Sequence, residues 1–408
     1  MNATKKLIAS ALLLLAVVWQ TVAQTPAATV TTNAPWSVRM ADSDIIRNPK
    51  AWMIDFVKDP KWNYTPGLVC SAMERLWKKT GDEKYYQYIK TFADEMINED
   101  GTIKTYKPEE YNIDKVNSGK FLFALYAHTG DEKYARAIKL MRDQMRTHPR
   151  TSEGGFWHKK MYPHQMWLDG IYMGSPFLAQ YARVFNEPAL FDDVAQQIRL
   201  IEKHTYDAKL GLYYHAWDES KQQQWASKET GKSPHVWGRA MGWYAMALVD
   251  ILDFFPKDHP ARKEILQSVD RVAKAIIRYQ DKESGLWYQV VDQGKREGNY
   301  LEGSASSMYT YFLLKAVKEG YIDRKYLAQG EKAYKGIIDR LIKVDNNGMV
   351  SITQVCAVAG LGGDPYRDGT YEYYINEKKR DNDPKAVGPF IMASLLFEAL
   401  GKNKETKQ

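Results

Sequence analysis

A single carboxylate, Asp169, stands among Met166, Trp167, Leu168, Ile171, Tyr172 and Met173, where a polar segment turns into an apolar helix. Apolar surroundings disfavour ionisation, so a carboxyl group placed here is expected to keep its proton near neutral pH and act as a donor. The competing structural reading is a helix-capping aspartate whose side chain accepts backbone N–H groups. This stretch alone leaves both open. Other groups able to do chemistry recur at comparable places. Asp114, Asn117 and Ser118 precede one apolar helix, while His235, Trp237 and Arg239 open another. His158 and His215 lie in loops rich in glycine and aromatic residues. Singly, each histidine reads as a structural hydrogen-bonding group and Asp114 as a cap. Their common placement at helix starts makes them a candidate site.

The elements that must position them form a repeat. Six times the chain gives an amphipathic helix, a Gly-and-aromatic segment and a more apolar helix ending at a turn. TGDEKY closes two of these units, at 80–85 and 129–134. The hydrophobic pattern predicts apolar helices near 67–79, 118–128, 170–185, 239–255, 303–319 and 388–400. Amphipathic helices are expected near 46–58, 83–98, 132–147, 190–204, 261–280 and 325–342. Repeated hairpins make an open solenoid or a closed ring. Six apolar helices that need cover on nearly every side favour closure into an all-α (α/α)6 barrel. The long outer-to-inner connections then gather on one rim, where a pocket belongs.

Residues 1–23 have the layout of a secretory signal peptide: Lys5 and Lys6, an apolar run over 7–19, then small residues up to Ala23. The expected location is therefore periplasmic or secreted. The run falls short of the roughly 20 residues of a membrane span, so no membrane association is expected after cleavage. Residues 24–40 read as a disordered lead-in, and 41–403 as one domain, since no Gly/Ser/Pro linker divides them. Cys70 and Cys356 are far apart and lack a C-x-x-C partner, which leaves buried thiols or one disulfide open and gives no support to a metal site. Without Lys5 and Lys6 the net charge falls from +7 to +5. That suits a small anionic ligand and is too diffuse for nucleic acid. An aromatic content of 13% supplies faces on which sugar rings stack, though many rings will be core. No GxSxG elbow or HExxH spacing is present, and Gly360–Gly363 reads as a flexible loop instead of a dinucleotide turn.

The sequences YPHQMWLDGIYMGSPF from Tyr162, HAWDES from His215, SPHVWGRAMGWYAMALVDIL from Ser233, NIDKVNSGK from Asn112 and NDPKAVGPFI from Asn382 resemble glycoside hydrolase family 105. Its members are unsaturated rhamnogalacturonyl hydrolases, related to the family 88 unsaturated glucuronyl hydrolases. The resemblance spans essentially the whole chain after the leader. It implies an (α/α)6 barrel that removes a 4,5-unsaturated uronic acid from the non-reducing end of a pectin oligosaccharide by hydrating its vinyl ether, with no metal or organic cofactor. By similarity Asp169 is the general acid/base and Asp114 its partner, the pair titrating as a unit. His158, His215, Trp237, Arg239 and Trp243 match the substrate pocket, with Arg239 as counter-ion of the uronate. Tyr64 is a lesser pocket candidate. A rival keeps the chemistry and changes the sugar to unsaturated glucuronate from glycosaminoglycan or ulvan. Two others are an inverting glycosidase on Asp114 and Asp169 and a non-catalytic oligosaccharide-binding toroid. A monomer is the default expectation.

Overall fold

Apolar helices with no polar face are stable only where neighbours cover them on all sides, and here they cover one another by closing into a ring. The computed structural model of the protein describes residues 30–405, so the leader expected over 1–23 lies outside the described residues. The helices in chain order are α1 (Trp36–Arg47), α2 (Tyr64–Thr80), α3 (Glu83–Met96), α4 (Leu122–Thr129), α5 (Glu132–Thr147), α6 (Leu168–Val184), α7 (Ala189–Thr205), α8 (Gly238–Ile251), α9 (Arg262–Arg278), α10 (Gly303–Lys318), α11 (Leu327–Leu341), the short α12 (Tyr371–Asn376) and α13 (Pro384–Glu405).

The inner ring runs α2, α4 with the 3-10 helix Ile113–Gly119 before it, α6, α8, α10 and α13, and α13 packs back on α2. Outside it, α3, α5, α7, α9, α11 and α1 pack mainly on α2, α4, α6, α8, α10 and α13 in turn. This is the (α/α)6 barrel. Every residue of α8 is buried, whereas α9 alternates a buried stripe of Ile265, Val269, Val272 and Ile276 with solvated charges. Asp82 and Asp131, one in each TGDEKY repeat, accept the backbone N–H groups of Lys84 and Lys133 and start α3 and α5. The short two-stranded ribbons lie in the long connections, among them Gln165–Trp167 paired with Ala216–Asp218. Among the described residues no helix is long and apolar enough to cross a membrane.

Three expectations are corrected. The first outer helix is Trp36–Arg47, not 46–58, so residues 36–40 are helical and not part of a disordered lead-in. A 3-10 turn, Ala51–Asp55, occupies the expected helical region. The second inner helix opens as 3-10 over Ile113–Gly119. Ser118 meets α2 there so closely that a Cβ at Gly67 would stand 2.1 Å from its Oγ. Lastly, Gly360–Gly363 is not a loose loop: Leu361 is fully buried against Trp167, Ala216 and Trp225, and Gly362 bridges to Arg367. Cys70 and Cys356 are both buried free thiols.

The outer layer carries one buried acid with incomplete pairing. Asp44 of α1 accepts a bond from Asn48 at 3.1 Å, while its Oδ2 is buried without a partner. Burial pushes its carboxyl up to about 7, against the pull of Arg47 and Asn48. The folded protein therefore binds this proton more tightly than the unfolded chain. The stability it contributes is complete below about pH 4 and is lost as pH rises through about 7. Asp44→Asn should match the parent melting temperature at pH 4 and exceed it by about 2 °C or more at pH 8, as read by differential scanning calorimetry at both pH values.

Candidate active site

Inner helices α2, α6 and α8, together with the 3-10 helix Ile113–Gly119, point their N-termini at the long-loop rim. Each presents a side chain from its first turn: Tyr64, Asp169, Arg239 and Asp114. They meet in a cavity of about 110 Å³ whose lining also includes His158, Trp237 and Trp243. Seven of the eight side chains singled out from sequence thus face one space. His215, the eighth, lies just behind the wall and is fully buried.

Asp114 is held at both oxygens. Lys159 Nζ lies 2.6 Å from Oδ2, and His158 Nε2 lies 3.4 Å from Oδ1. Its backbone N–H donates to the Asn112 side chain at 3.1 Å, so Asn112, and not Asp114, is the cap of this turn. Burial pushes His158 down to about 4, more than the nearby Asp114 pulls it up. Its imidazole is therefore neutral at physiological pH. It stacks on Trp167 with ring centres 4.4 Å apart, and its Nδ1 is buried without a protein partner.

Asp169 differs from expectation in one respect. It is largely buried and does not cap α6. However, its carboxyl lies below the usual carboxylate range, not above it. Burial raises it, and the opposing contributions, led by His215, together outweigh burial. His215 comes from a different loop, pinned by Tyr374 OH at 2.8 Å from Nδ1, and its Nε2 lies 3.3 Å from Asp169 Oδ2. Neither Nε2 nor Oδ2 completes an aligned hydrogen bond, so the contact is electrostatic, with both atoms left able to bond a third group. Within ion-pair distance Asp114 has Lys159 and His158, and Asp169 has His215.

Arg239 is almost fully buried. Nη1 donates to Ser304 Oγ at 3.2 Å and to the Cys356 carbonyl, and the guanidinium packs on Trp237, 4.7 Å from the ring centre. Burial opposes its charge, while Cys356, Glu302 and Asp383 more than restore it. No carboxylate among the described residues lies within ion-pair distance, and Nε is buried without a partner. Trp243 forms the floor, its ring stacked on Tyr172 at 4.8 Å and met edge-on by Tyr64 at 6.3 Å.

Sequence reasoning missed Lys159, Tyr162, Trp167, Met173, Val358, Ala359 and Arg367, which also line the cavity. Lys159 follows His158 directly, and Tyr162, Trp167 and Met173 belong to the stretch around Asp169, so adjacency was a usable signal for these. Val358, Ala359 and Arg367 come from the last connection and gave none. His164 and His235 lie outside the lining. His164 packs at a tilt against Trp157, and His235 Nδ1 meets Gln293 at 3.1 Å. Asn117 and Ser118 are structural, donating to the carbonyls of Tyr64 and Asn63.

Residues 36–400 match the family model described as Glycosyl Hydrolase Family 88. A solved glycoside hydrolase of family 105 from C. acetobutylicum ATCC 824 is 46% identical, with a TM-score of 0.86 over 90% of this chain and 100% of that one. The unsaturated rhamnogalacturonyl hydrolase YesR of Bacillus subtilis is 28% identical over 323 residues, 78% of this chain and 86% of YesR. At 13% identity, the unsaturated glucuronyl hydrolase of Bacillus sp. GL1 shares the fold, with a TM-score of 0.62 over 89% of this chain and 95% of that one.

The histidine is what holds Asp169 ionised. Replacing it, as His215→Asn, should raise the Asp169 titration midpoint. The carboxyl 13C shift followed against pH in aspartate-labelled protein, with Asp169→Asn to identify the resonance, measures this; an unmoved midpoint would mean that His215 does not set it.

Proposed function

The chain belongs to glycoside hydrolase family 105, related to family 88, and on that premise we propose that it removes 4,5-unsaturated galacturonic acid from the non-reducing end of rhamnogalacturonan oligosaccharides left by polysaccharide lyases. The activity at the coarser level, unsaturated glycuronyl hydrolysis, goes with the family; the sugar and the pectin setting are our reading. One observation carries it. Two carboxylates, Asp169 and Asp114, face a cavity of about 110 Å³ in which the buried Arg239 has no carboxylate within ion-pair distance among the described residues. A ring bearing its own carboxylate makes that direct pair.

In this reading Asp169 delivers a proton to C4 of the C4=C5 double bond, and water adds to C5. The product is a hemiketal. Its C5–O5 bond opens to a ketone, O5 stays on C1 as a hydroxyl, and the C1 hemiacetal collapses to an aldehyde with loss of the leaving sugar as the alcohol. Asp169 must therefore be protonated when substrate is bound, although it is a carboxylate in the open site. Filling the cavity excludes water and brings in a further negative charge, and both raise a carboxyl pKa. His215 Nε2 stands 3.3 Å from Asp169 Oδ2 and fixes the carboxyl group that carries the proton. Once C4 has taken that proton, Asp169 is again a base placed to take a proton from the attacking water, as general acid/base catalysis requires. Asp114 fixes Lys159 and His158 along the same wall, and Trp237 and Trp243 complete the lining.

The leader-like residues 1–23 make secretion or periplasmic export part of the same proposal. A second reading, unsaturated uronate linked to 3-sulfated rhamnose, draws on one relative: the unsaturated 3S-rhamnoglycuronyl hydrolase of Formosa agariphila, 28% identical over 184 residues.

Mixing the protein with unsaturated galacturonyl-rhamnose should bleach the ultraviolet absorbance of the conjugated double bond and release rhamnose. Asp169→Asn should lower kcat by about 10²–10⁴-fold. Persistent absorbance with this substrate, together with turnover of an unsaturated glucuronyl analogue, would keep the chemistry and replace the sugar.

A further inference from the structure

Two guanidinium groups line the cavity without an ion-pair partner among the described residues: Arg239 on the inner side and Arg367 from the last connection. The third cation, Lys159, is neutralised by Asp114 at 2.6 Å. A terminal uronate brings a single carboxylate, so one guanidinium is left over.

Arg367 is built to hold its position. Nε donates to the Gly362 carbonyl at 2.8 Å, and Nη2 donates to the Leu361 carbonyl at 3.2 Å and to the Tyr162 hydroxyl at 2.8 Å. The last of these bonds ties the 357–370 connection to the loop that carries the aromatic wall. On that wall Tyr162 stacks on Trp167 at 5.1 Å, and Trp167 stacks on His158. Leu361 is fully buried beneath Arg367, and Tyr366 OH accepts the Trp225 N–H at 3.2 Å, so the loop is anchored on both sides. Nη1 has no acceptor among the described residues. A Cβ at Gly360 would come within 2.3 Å of it, so glycine there leaves the room it occupies. The same connection carries buried Leu361 and exposed Val358 and Tyr366, and Arg367 itself is half-buried, so it stands between the interior and solvent. With the terminal ring in the cavity, this is the edge at which the rest of the substrate leaves.

We propose that Arg367 is a specificity-determining residue that binds an anionic group carried by the substrate beyond its terminal ring. This rests on the reading of the cavity as the site of a terminal uronate. A fixed planar donor with a free N–H matches a carboxylate or a sulfate ester. Two sources share that chemistry: the next uronate of an alternating uronate-rhamnose chain, and a sulfate on the leaving rhamnose.

The test uses two substrate pairs on the intact protein: the unsaturated tetrasaccharide with its internal uronate free or methyl-esterified, and unsaturated uronyl-rhamnose with or without a 3-sulfate. The parent protein should favour the anionic member of one pair by about tenfold in kcat/KM, mostly through KM, the size of one charged hydrogen bond. Arg367→Gln should abolish that ratio and Arg367→Lys should retain part of it, which separates charge recognition from loss of loop order. The pair that responds identifies the source. An absent ratio in the parent protein, or one that survives Arg367→Gln, overturns the proposal. Loss of no double bond in any substrate overturns the functional reading instead. Calorimetric binding of the same pairs then decides Arg367, by whether the anionic preference exists and disappears in Arg367→Gln.

Discussion

Closing six apolar helices into a ring leaves a polar side chain few places to go. Inside the ring it would lose its water, and on the outer faces it would be far from any cavity. The first turn of an inner helix is the exception. There the backbone N–H groups are unpaired, the helix dipole favours negative charge, and the long connections roof the space. Asp169, Asp114, Tyr64 and Arg239 all occupy such first turns. The site is therefore a consequence of the way the core is buried, and its residues lie far apart in sequence because each comes from a different hairpin.

Burial alone would leave these groups uncharged, and the structure sets specific partners against it. His158 lacks a partner strong enough and stays neutral, while the carboxylate of Asp169 is held ionised by His215. Tyr374 fixes the far side of that imidazole from α12, a helix with no part in the ring. The wall of the site thus depends on the connection between α11 and α13 as much as on the barrel. The same connection carries Arg367.

Much of this was legible in sequence because periodicity and local motifs are local properties. The inner and outer helices fell close to their observed positions wherever a TGDEKY turn or a continuous apolar run marked them, as at Glu132–Thr147. Trp36–Arg47 was missed because its polar residues continue the character of the Ala/Thr-rich segment before it, and its partner, α13, lies at the other end of the chain. The location of Asp169 could be read, but its protonation state could not. Local apolar neighbours pointed to a raised pKa, and the deciding group, His215, arrives from another hairpin. Arg367 was hidden for a related reason. A glycine-rich loop reads as flexible until Leu361 is seen to be buried beneath it.

The floor of the cavity continues this balance into the barrel axis. Trp243 rests on Tyr172, and Lys120 Nζ lies 3.5 Å from the centre of the Tyr172 ring with no hydrogen-bond partner. Burial pushes Lys120 down to about 7. Around it, Asp250 takes Lys315 at 2.7 Å and Arg75 at 3.2 Å, with Tyr311 OH also donating to it. A buried ion cluster is seldom a net gain in stability over apolar packing. In this one two cations, Lys315 and Arg75, meet two acids, Asp250 and Asp253, so their charges balance. Lys120 is held against the Tyr172 ring instead of an acid, and burial without a carboxylate partner is what lowers it. The packing that supports Trp243 therefore rests on a neutralised cluster, and the cations left without a carboxylate at ion-pair distance stand at the rim, where Arg239 opens α8.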